Sequence, residues 1–192
     1  MRIVGGVNRG LRLAEVGEGD AAAHLRPTSD RVREAMFNLL EGGRFGNPVT
    51  DARVLDLFAG TGALSLEALS RGAAEAVLLE NGRAGQRLIR ENVARARREG
   101  QARLLAADAT KLPANTGEAF SLVFLDPPYG TGLGTKALAA VLAGGWLAPE
   151  ALVVWEEAAP MMPLPGTSLL DRRTYGGTVV TLLRVDQAQA RS

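Results

Sequence analysis

An α/β fold with a Rossmann-like, doubly wound sheet is what this 192-residue sequence predicts, and three observations carry the prediction. The first is Val54-Leu55-Asp56-Leu57-Phe58-Ala59-Gly60-Thr61-Gly62, an apolar run that ends in a carboxylate and breaks into two glycines. It reads as a buried strand entering a tight turn, and Ala63 to Arg71 then favour helix until Gly72 stops them. The second is the alternation of short apolar runs with longer helical ones downstream, the pattern of a parallel sheet covered by helices. The third is that four successive strands end in an acid, at Asp56, Glu80, Asp108 and Asp126. One such acid is noise, whereas four in register describe a site.

Composition bounds the rest. A chain of this length with 46% hydrophobic content suffices for one compact domain with a substantial core. We expect residues 1–50 to be an N-terminal hairpin and helix and residues 51–192 the catalytic core. The absence of cysteine excludes disulfides, zinc-thiolate sites, iron–sulfur clusters and cysteine nucleophiles, and is consistent with a reducing cytosol. The single histidine, His24, lies in the Gly/Ala-rich stretch Gly17 to His24 and reads as a solvated loop residue, so no metal site is expected. No signal peptide, 18-residue apolar run or repeat of fixed period is visible.

Taken in order, Met1 to Arg12 carries Arg2, Arg9 and Arg12 with no acid and reads as two short strands around a Gly/Asn turn. A cationic hairpin of this kind suits a phosphate backbone. Arg26-Pro27-Thr28-Ser29-Asp30 opens a helix with Thr28 or Ser29 as N-cap, burying Val32, Met36, Leu39 and Leu40 and leaving Arg31, Arg33 and Glu34 off that face. Asn47-Pro48 marks the loop before the central strand. After the Ala63 helix come a strand at Ala76 to Leu79 and a helix from Arg83 to Glu99 capped by Gly100. That helix holds the densest basic cluster, Arg83 to Arg103. We read it as a solvated face, because a middle helix of a doubly wound sheet lies away from the strand ends that bind ligands. Strands at Ala102 to Ala107 and Phe120 to Leu125, a helix at Lys136 to Leu142, and a strand at Leu152 to Trp155 follow. The chain closes on a hairpin of Ser168 to Tyr175 and Thr178 to Leu183 across Gly176-Gly177.

The acids separate into roles. Gly60-Thr61-Gly62 lacks the third glycine of a dinucleotide fingerprint, and Asp56 would repel a pyrophosphate but suits a ligand carrying an ammonium group. Asp-x-Phe-x-Gly-x-Gly, with Phe58 at its centre, looks like the S-adenosylmethionine loop of class I methyltransferases. Glu80, 18 residues beyond Gly62, is placed to accept ribose hydroxyls. Asp108 suits an adenine amino group with the Ala109 N–H on a ring nitrogen, or else it caps the turn that follows. In Asp126-Pro127-Pro128-Tyr129 the prolines remove two donors and hold the segment extended. Asp126 and the Pro127 carbonyl can then accept both N–H bonds of an exocyclic amine, freeing a lone pair otherwise delocalised into its ring, while Tyr129 offers a face for stacking. Gly130 to Lys136 lacks the Gly-Lys-Ser/Thr of a P-loop and reads as a lid over the target base.

With these residues assembled, the chain resembles the RsmD family, bacterial 16S ribosomal RNA guanine-N2 methyltransferases, over almost its whole length. The likeness runs through Arg2-Ile3-Val4-Gly5-Gly6, Leu25 to Glu34, the loop Asp56 to Gly62, Glu67-Ala68-Leu69-Ser70-Arg71-Gly72, and Asp126-Pro127-Pro128-Tyr129. The resemblance implies a class I S-adenosylmethionine-dependent methyltransferase sheet of seven strands with an antiparallel last hairpin. It implies S-adenosyl-L-methionine as cofactor, held by Asp56, Phe58, Gly60, Gly62, Glu80, Asp108, Ala109 and Asp126. The catalytic residues would be Asp126, Pro127 and Tyr129, and the acceptor a guanine of 16S rRNA in the small (30S) ribosomal subunit. A cytoplasmic monomer without metal or membrane partner is expected. The sequence departs from the family at Asn81-Gly82-Arg83, where an aspartate often precedes the arginine, and at the Gly17 to His24 extension. The alternatives are a DNA adenine-N6 methyltransferase, which usually adds a recognition domain for which this sequence leaves no residues, and a non-catalytic RNA-binding ribosome assembly factor.

Overall fold

The computed structural model describes residues 1–15 and 29–187. In chain order these form α1 (Asp30–Glu41), β1 (Arg53–Asp56), α2 (Ala63–Ser70), β2 (Glu75–Leu79), α3 (Arg83–Ala96) and β3 (Ala102–Leu105). A 3-10 turn at Ala109–Lys111, β4 (Phe120–Leu125), α4 (Leu133–Ala143), β5 (Leu147–Glu157), β6 (Thr167–Tyr175) and β7 (Thr178–Val185) complete them. The sheet has seven strands in the order β3-β2-β1-β4-β5-β7-β6, parallel from β3 to β5, with β7 antiparallel to both its neighbours. A two-residue link at Gly176-Gly177 leaves β6 and β7 only the antiparallel arrangement. The strand order reverses between β1 and β4, which opens a crevice at their carboxyl ends.

Alternation along each strand builds a core on both faces of the sheet. Val54, Leu78, Leu122, Phe124 and Val154 face a cluster with α1, α2 and α3, whereas Leu55, Val77, Leu79, Val123, Leu125 and Trp155 face one with α4. Ile3, Leu13, Met36, Phe37 and Leu40 belong to the first cluster, so the N-terminal segment and α1 share the core of the sheet, and Phe37 lies 5.7 Å from Phe124 between ring centroids.

Several elements differ from the sequence expectation for identifiable reasons. The N-terminal hairpin pairs with itself, through the Arg2 to Arg12 bridge and the Ile3 N–H to Leu11 carbonyl (2.9 Å), Gly10 N–H to Ile3 carbonyl (2.8 Å) and Leu13 N–H to Met1 carbonyl (3.2 Å) bonds, but its turn also docks on α2. Val7 N–H donates to the Ser70 carbonyl (2.8 Å), Asn8 N–H to Ser70 Oγ (2.9 Å), and Ser70 Oγ to the Gly5 carbonyl (2.6 Å). Gly6 has φ 71°, and any Cβ there would strike the Ser70 carbonyl. In α1 the N-cap is Ser29, whose Oγ accepts from Val32 N–H at 3.3 Å; Thr28, like Arg26, Pro27 and His24, lies outside the described residues. Its buried stripe is Arg33, Met36, Phe37 and Leu40, which brings Arg33 inside and leaves Val32 and Leu39 half-buried.

Helix α3 stops at Ala96, ahead of the expected Glu99, because Arg97 turns left-handed (φ 55°, ψ 48°) and takes the position expected for Gly100. An L-residue there is strained, so Arg97→Gly should raise stability by about 0.5 to 1 kcal/mol, the left-handed penalty less the greater unfolded-state entropy of glycine. Urea unfolding measures it, and a loss of stability would contradict the cap geometry. β5 begins at Leu147, five residues before the expected start, because Pro149 and Glu150 (φ 62°) sit in a register shift that hides the strand from pattern reading.

A buried charge cluster fastens the N-terminal segment. Glu67 on α2 and Arg33 on α1 are both fully buried, with Arg33 Nε 3.4 Å from Glu67 Oε2. Glu67 also accepts from Val4 N–H (2.8 Å), Gly5 N–H (2.8 Å) and Arg71 Nε (2.7 Å). Arg33 donates in addition to the Arg2 carbonyl and to Asp30 Oδ1. Arg71 continues to Glu41 at 2.5 Å and lies 5.0 Å from the centre of the Phe37 ring.

Candidate active site

The carboxyl ends of β1, β2, β3 and β4 stand in one row, and the loops leaving them are tied to neighbouring strands. Leu57 N–H donates to the Phe124 carbonyl (3.0 Å) and Ala59 N–H to the Leu79 carbonyl (2.9 Å). Gly62 N–H closes the turn on the Ala59 carbonyl at 2.7 Å. Both turn glycines are left-handed (Gly60 φ 55°, Gly62 φ 80°), and a Cβ on Gly62 would sit 3.0 Å from Leu78 Cδ2, so helix α2 starts hard against β2.

Asp56 is buried under this turn. Ser65 Oγ donates to its Oδ2 at 2.9 Å, while its Oδ1 is buried without a hydrogen-bond partner. Burial pushes the carboxyl up to about 7, against the Ser65 hydrogen bond and with help from the charge of Glu80. A buried acid with a spare oxygen at a glycine turn suits a cationic group.

Glu80 follows β2 and holds the loop from the other side. Its Oε2 accepts from Gly60 N–H (2.9 Å) and its Oε1 from Gly82 N–H (2.7 Å), leaving each oxygen a further lone pair. Gly85 matters here, since a Cβ would lie 2.7 Å from the Glu80 carboxyl carbon. Asp108 adopts the capping geometry: its Oδ1 accepts from Thr110 N–H (2.9 Å) and Thr110 Oγ (2.7 Å), which hold its carboxyl below the usual range. Ala109 is buried beside it, and none of the hydrogen bonds among the described residues takes up its N–H.

Asp126 is half-buried just beyond β4, followed by buried Pro127, exposed Pro128 and half-buried Tyr129. The Pro128 carbonyl accepts from Thr131 Oγ at 2.7 Å, while no hydrogen bond among the described residues uses the Pro127 carbonyl. Tyr129 is anchored by its hydroxyl, which donates to Glu156 Oε1 (2.7 Å) and lies 3.3 Å from Thr178 Oγ. Burial, with the nearby charges of Glu156 and Asp126, raises its pKa, so the phenol stays neutral. Glu157 Oε1 accepts from Gly130 N–H at 3.1 Å. The glycine-rich stretch expected to form a lid is largely helix: Gly132 caps α4 and Gly134 presses on Trp155, where a Cβ would lie 2.8 Å from the indole.

The structure thus gathers Asp56, Phe58, Gly60, Gly62, Glu80, Asp108, Ala109, Asp126, Pro127 and Tyr129 at the crevice. Arg2, Arg9 and Arg12 are exposed, but the hairpin runs away from the crevice: Met1 Sδ lies 3.9 Å from Thr61 Oγ, while Asn8 at the tip reaches Ala96 and Arg98 at the far end of α3. Sequence reasoning missed Ser65, Gly85, Glu156 and Glu157. The signal for the last two was an acid pair at the end of the fifth strand, continuing the series on the first four. No group of three or more candidate metal ligands occurs among the described residues, and none of their helices is long and apolar enough to cross a membrane.

The strand order, the glycine turn after β1 and the Asp-Pro-Pro-Tyr segment after β4 define a class I methyltransferase. The family described as Conserved hypothetical protein 95 matches residues 1–184, and the chain belongs to it. Ribosomal RNA small subunit methyltransferase D of Escherichia coli K12 is 39% identical over 100% of this chain and 93% of its own length. The solved structure of the Escherichia coli yhhF protein, 38% identical, superposes with a TM-score of 0.80 over 97% of this chain and 98% of that one. An RNA methyltransferase from Salinibacter ruber, solved with S-adenosyl-L-homocysteine, shares the fold at 17% identity, with a TM-score of 0.65 over 84% of this chain and 94% of that one.

Proposed function

We propose that the protein transfers a methyl group from S-adenosyl-L-methionine to the exocyclic N2 amine of a guanine in 16S rRNA of the small ribosomal subunit, acting as a cytoplasmic monomer. The observation that carries this reading is the pairing of Asp126 and the Pro127 carbonyl, two acceptors at the β1/β4 reversal, beside a tyrosine ring pinned by Glu156. The relatives named for small-subunit rRNA supply the substrate class.

The residues present fit the cofactor. Asp56, with its unpartnered buried oxygen, would hold the ammonium group, the Gly60 to Gly62 turn leaves room for the ligand against the backbone, and Glu80 has lone pairs for ribose hydroxyls. Ala109 N–H would meet a ring nitrogen, with Phe58 beside it. When bound, the cofactor supplies an electrophilic methyl group. Asp126 and the Pro127 carbonyl accept the two N–H bonds of the guanine amine, orient its lone pair outward and stabilise the positive charge that develops on nitrogen, and the Asp126 carboxylate accepts the proton that the methylated nitrogen releases. Tyr129 fixes the plane of the base.

Asp56 makes cofactor affinity depend on pH. Below its pKa of about 7 the carboxyl is protonated, so binding a cation must release that proton. Affinity should therefore rise roughly tenfold per pH unit between about pH 5.5 and 7 and level off above, and Asp56→Asn should flatten the profile. Calorimetry across this range is the measurement; a flat profile in the parent protein would remove Asp56 from the ammonium site.

The surface left for RNA is small, which favours recognition of folded RNA by shape over readout of sequence. Purified protein with labelled donor should methylate small subunits from cells lacking the enzyme faster than protein-free 16S rRNA, with one modified guanine located by mass spectrometry. Equal rates and the same guanine on both would refute the subunit preference, and no labelled guanine on either would refute the function.

A further inference from the structure

The N-terminal hairpin and α3 are one surface. Asn8 Nδ2 donates to the Ala96 carbonyl at 3.3 Å, and Arg98 donates to Asn8 Oδ1 from Nε (3.1 Å) and Nη2 (2.8 Å). Arg95 Nη1 lies 3.5 Å from the Arg12 carbonyl. Nearer the crevice, fully buried Asn92 accepts from Ala14 N–H (2.6 Å) and donates to the Ala14 (3.1 Å) and Thr61 (2.9 Å) carbonyls, tying hairpin, helix and glycine turn together.

Two arginine sets far apart in sequence therefore lie side by side. On α3, Arg83, Arg87 and Arg90 recur at helical spacing opposite the buried Leu88, Ile89, Asn92 and Val93. Arg95, about 140° round the helix from Arg90, stands on the flank against the hairpin, and exposed Arg97 follows at the helix end, near exposed Arg9 and Arg12 of the hairpin. The one acid within α3, Glu91, is paired with Arg95 at 2.6 Å. A solvated helix face normally balances both signs, whereas α3 carries Arg83, Arg87, Arg90 and Arg95 against Glu91 alone, with Glu99 following beyond its end. The 14-residue helix starts beside Glu80 at the crevice and extends about 21 Å, long enough to face several consecutive phosphates. Arg97 adds an independent observation. It carries its charge at a left-handed position where glycine is favoured, whereas complementing the helix dipole requires a cation only somewhere in the last turn and involves no strain.

We propose that α3 and the hairpin form a single basic ridge that binds the phosphate backbone of the substrate RNA as it leaves the catalytic crevice. The proposal rests on the rRNA reading above. It also replaces the expectation that α3 is merely solvated: the far end of the helix is remote from the crevice, but its first turn borders it, and the hairpin extends its charge.

The test is the salt dependence of binding to in vitro transcribed 16S rRNA, measured over a potassium chloride series. Arg90→Gln with Arg97→Gln forms one pair and Arg9→Gln with Arg12→Gln the other. With roughly 0.7 to 0.9 counterions released per phosphate contact, each pair should reduce the slope of log K against log salt by about 1.5, and the quadruple variant by about 3. Circular dichroism and the thermal midpoint check that each variant is folded, and methylation of small subunits by the parent is assayed in parallel. A parent protein that fails to methylate small subunits would sink the rRNA reading and the ridge with it. A parent that methylates them while the folded α3 pair keeps the parental slope would sink the ridge alone.

Discussion

Asp126→Ala should lower the methylation rate by about 10² or more, the scale seen when one preorganised transition-state contact is removed. The aromatic amine is a poor nucleophile until its N–H bonds are held by acceptors, and the site offers two, the Asp126 carboxylate and the Pro127 carbonyl. The carboxylate matters more because positive charge develops on nitrogen during transfer, and an anion in a half-buried setting stabilises it better than a carbonyl dipole. Asp126→Asn should therefore keep part of the activity, since it retains an acceptor oxygen. Tyr129→Phe should cost less again, since the ring survives and only its hydrogen bonds to Glu156 and Thr178 are lost. Single-turnover rates on small subunits separate chemistry from binding. If Asp126→Ala transfers methyl at the parental rate with the cofactor bound, amine activation by this residue is wrong.

The frame of the site was readable because strand ends announce themselves. An apolar run that stops at an acid has one geometry in a parallel sheet, so the sequence itself sets Asp56, Glu80, Asp108 and Asp126 in a row. The glycine turn was readable for a similar reason, since only a left-handed backbone makes Gly60 and Gly62 necessary. What escaped were contacts between distant segments. Glu156 supports Tyr129 only because β5 pairs with β4 in the register that sets Leu125 opposite Trp155, a register that the bulge at Pro149 and Glu150 conceals. Arg33 looks like a surface residue until Glu67, 34 positions away, arrives as its partner. The two short strands of the hairpin are legible in the sequence and pair with each other, but local sequence does not show that its turn docks on Ser70 of α2 and on the end of α3.

That same Glu67 is where the largest loss of stability is expected. Glu67→Ala would leave Arg33 buried beside an empty space and remove the acceptor for the Val4 and Gly5 amides and for Arg71 Nε. Breaking a buried pair by deleting one member typically costs about 3 to 5 kcal/mol, because the surviving charge stays desolvated. For a chain of this size that corresponds to a thermal midpoint lower by roughly 6 to 20 °C. Part of the penalty comes from Arg33, which keeps Asp30 and the Arg2 carbonyl but loses its fully buried carboxylate, so a second change, Arg33→Met, should recover some of it, and the double variant should lose less than the two single losses added together. Urea unfolding of the four proteins in this cycle gives the coupling. Hydrogen exchange should also show the Val4 and Gly5 amides opening first in Glu67→Ala, since the carboxylate is their acceptor and Ser70 holds only the hairpin tip. A loss below about 1 kcal/mol, the scale of an exposed ion pair, would mean that water reaches the cluster and that packing against α2, not charge, retains the N-terminal segment.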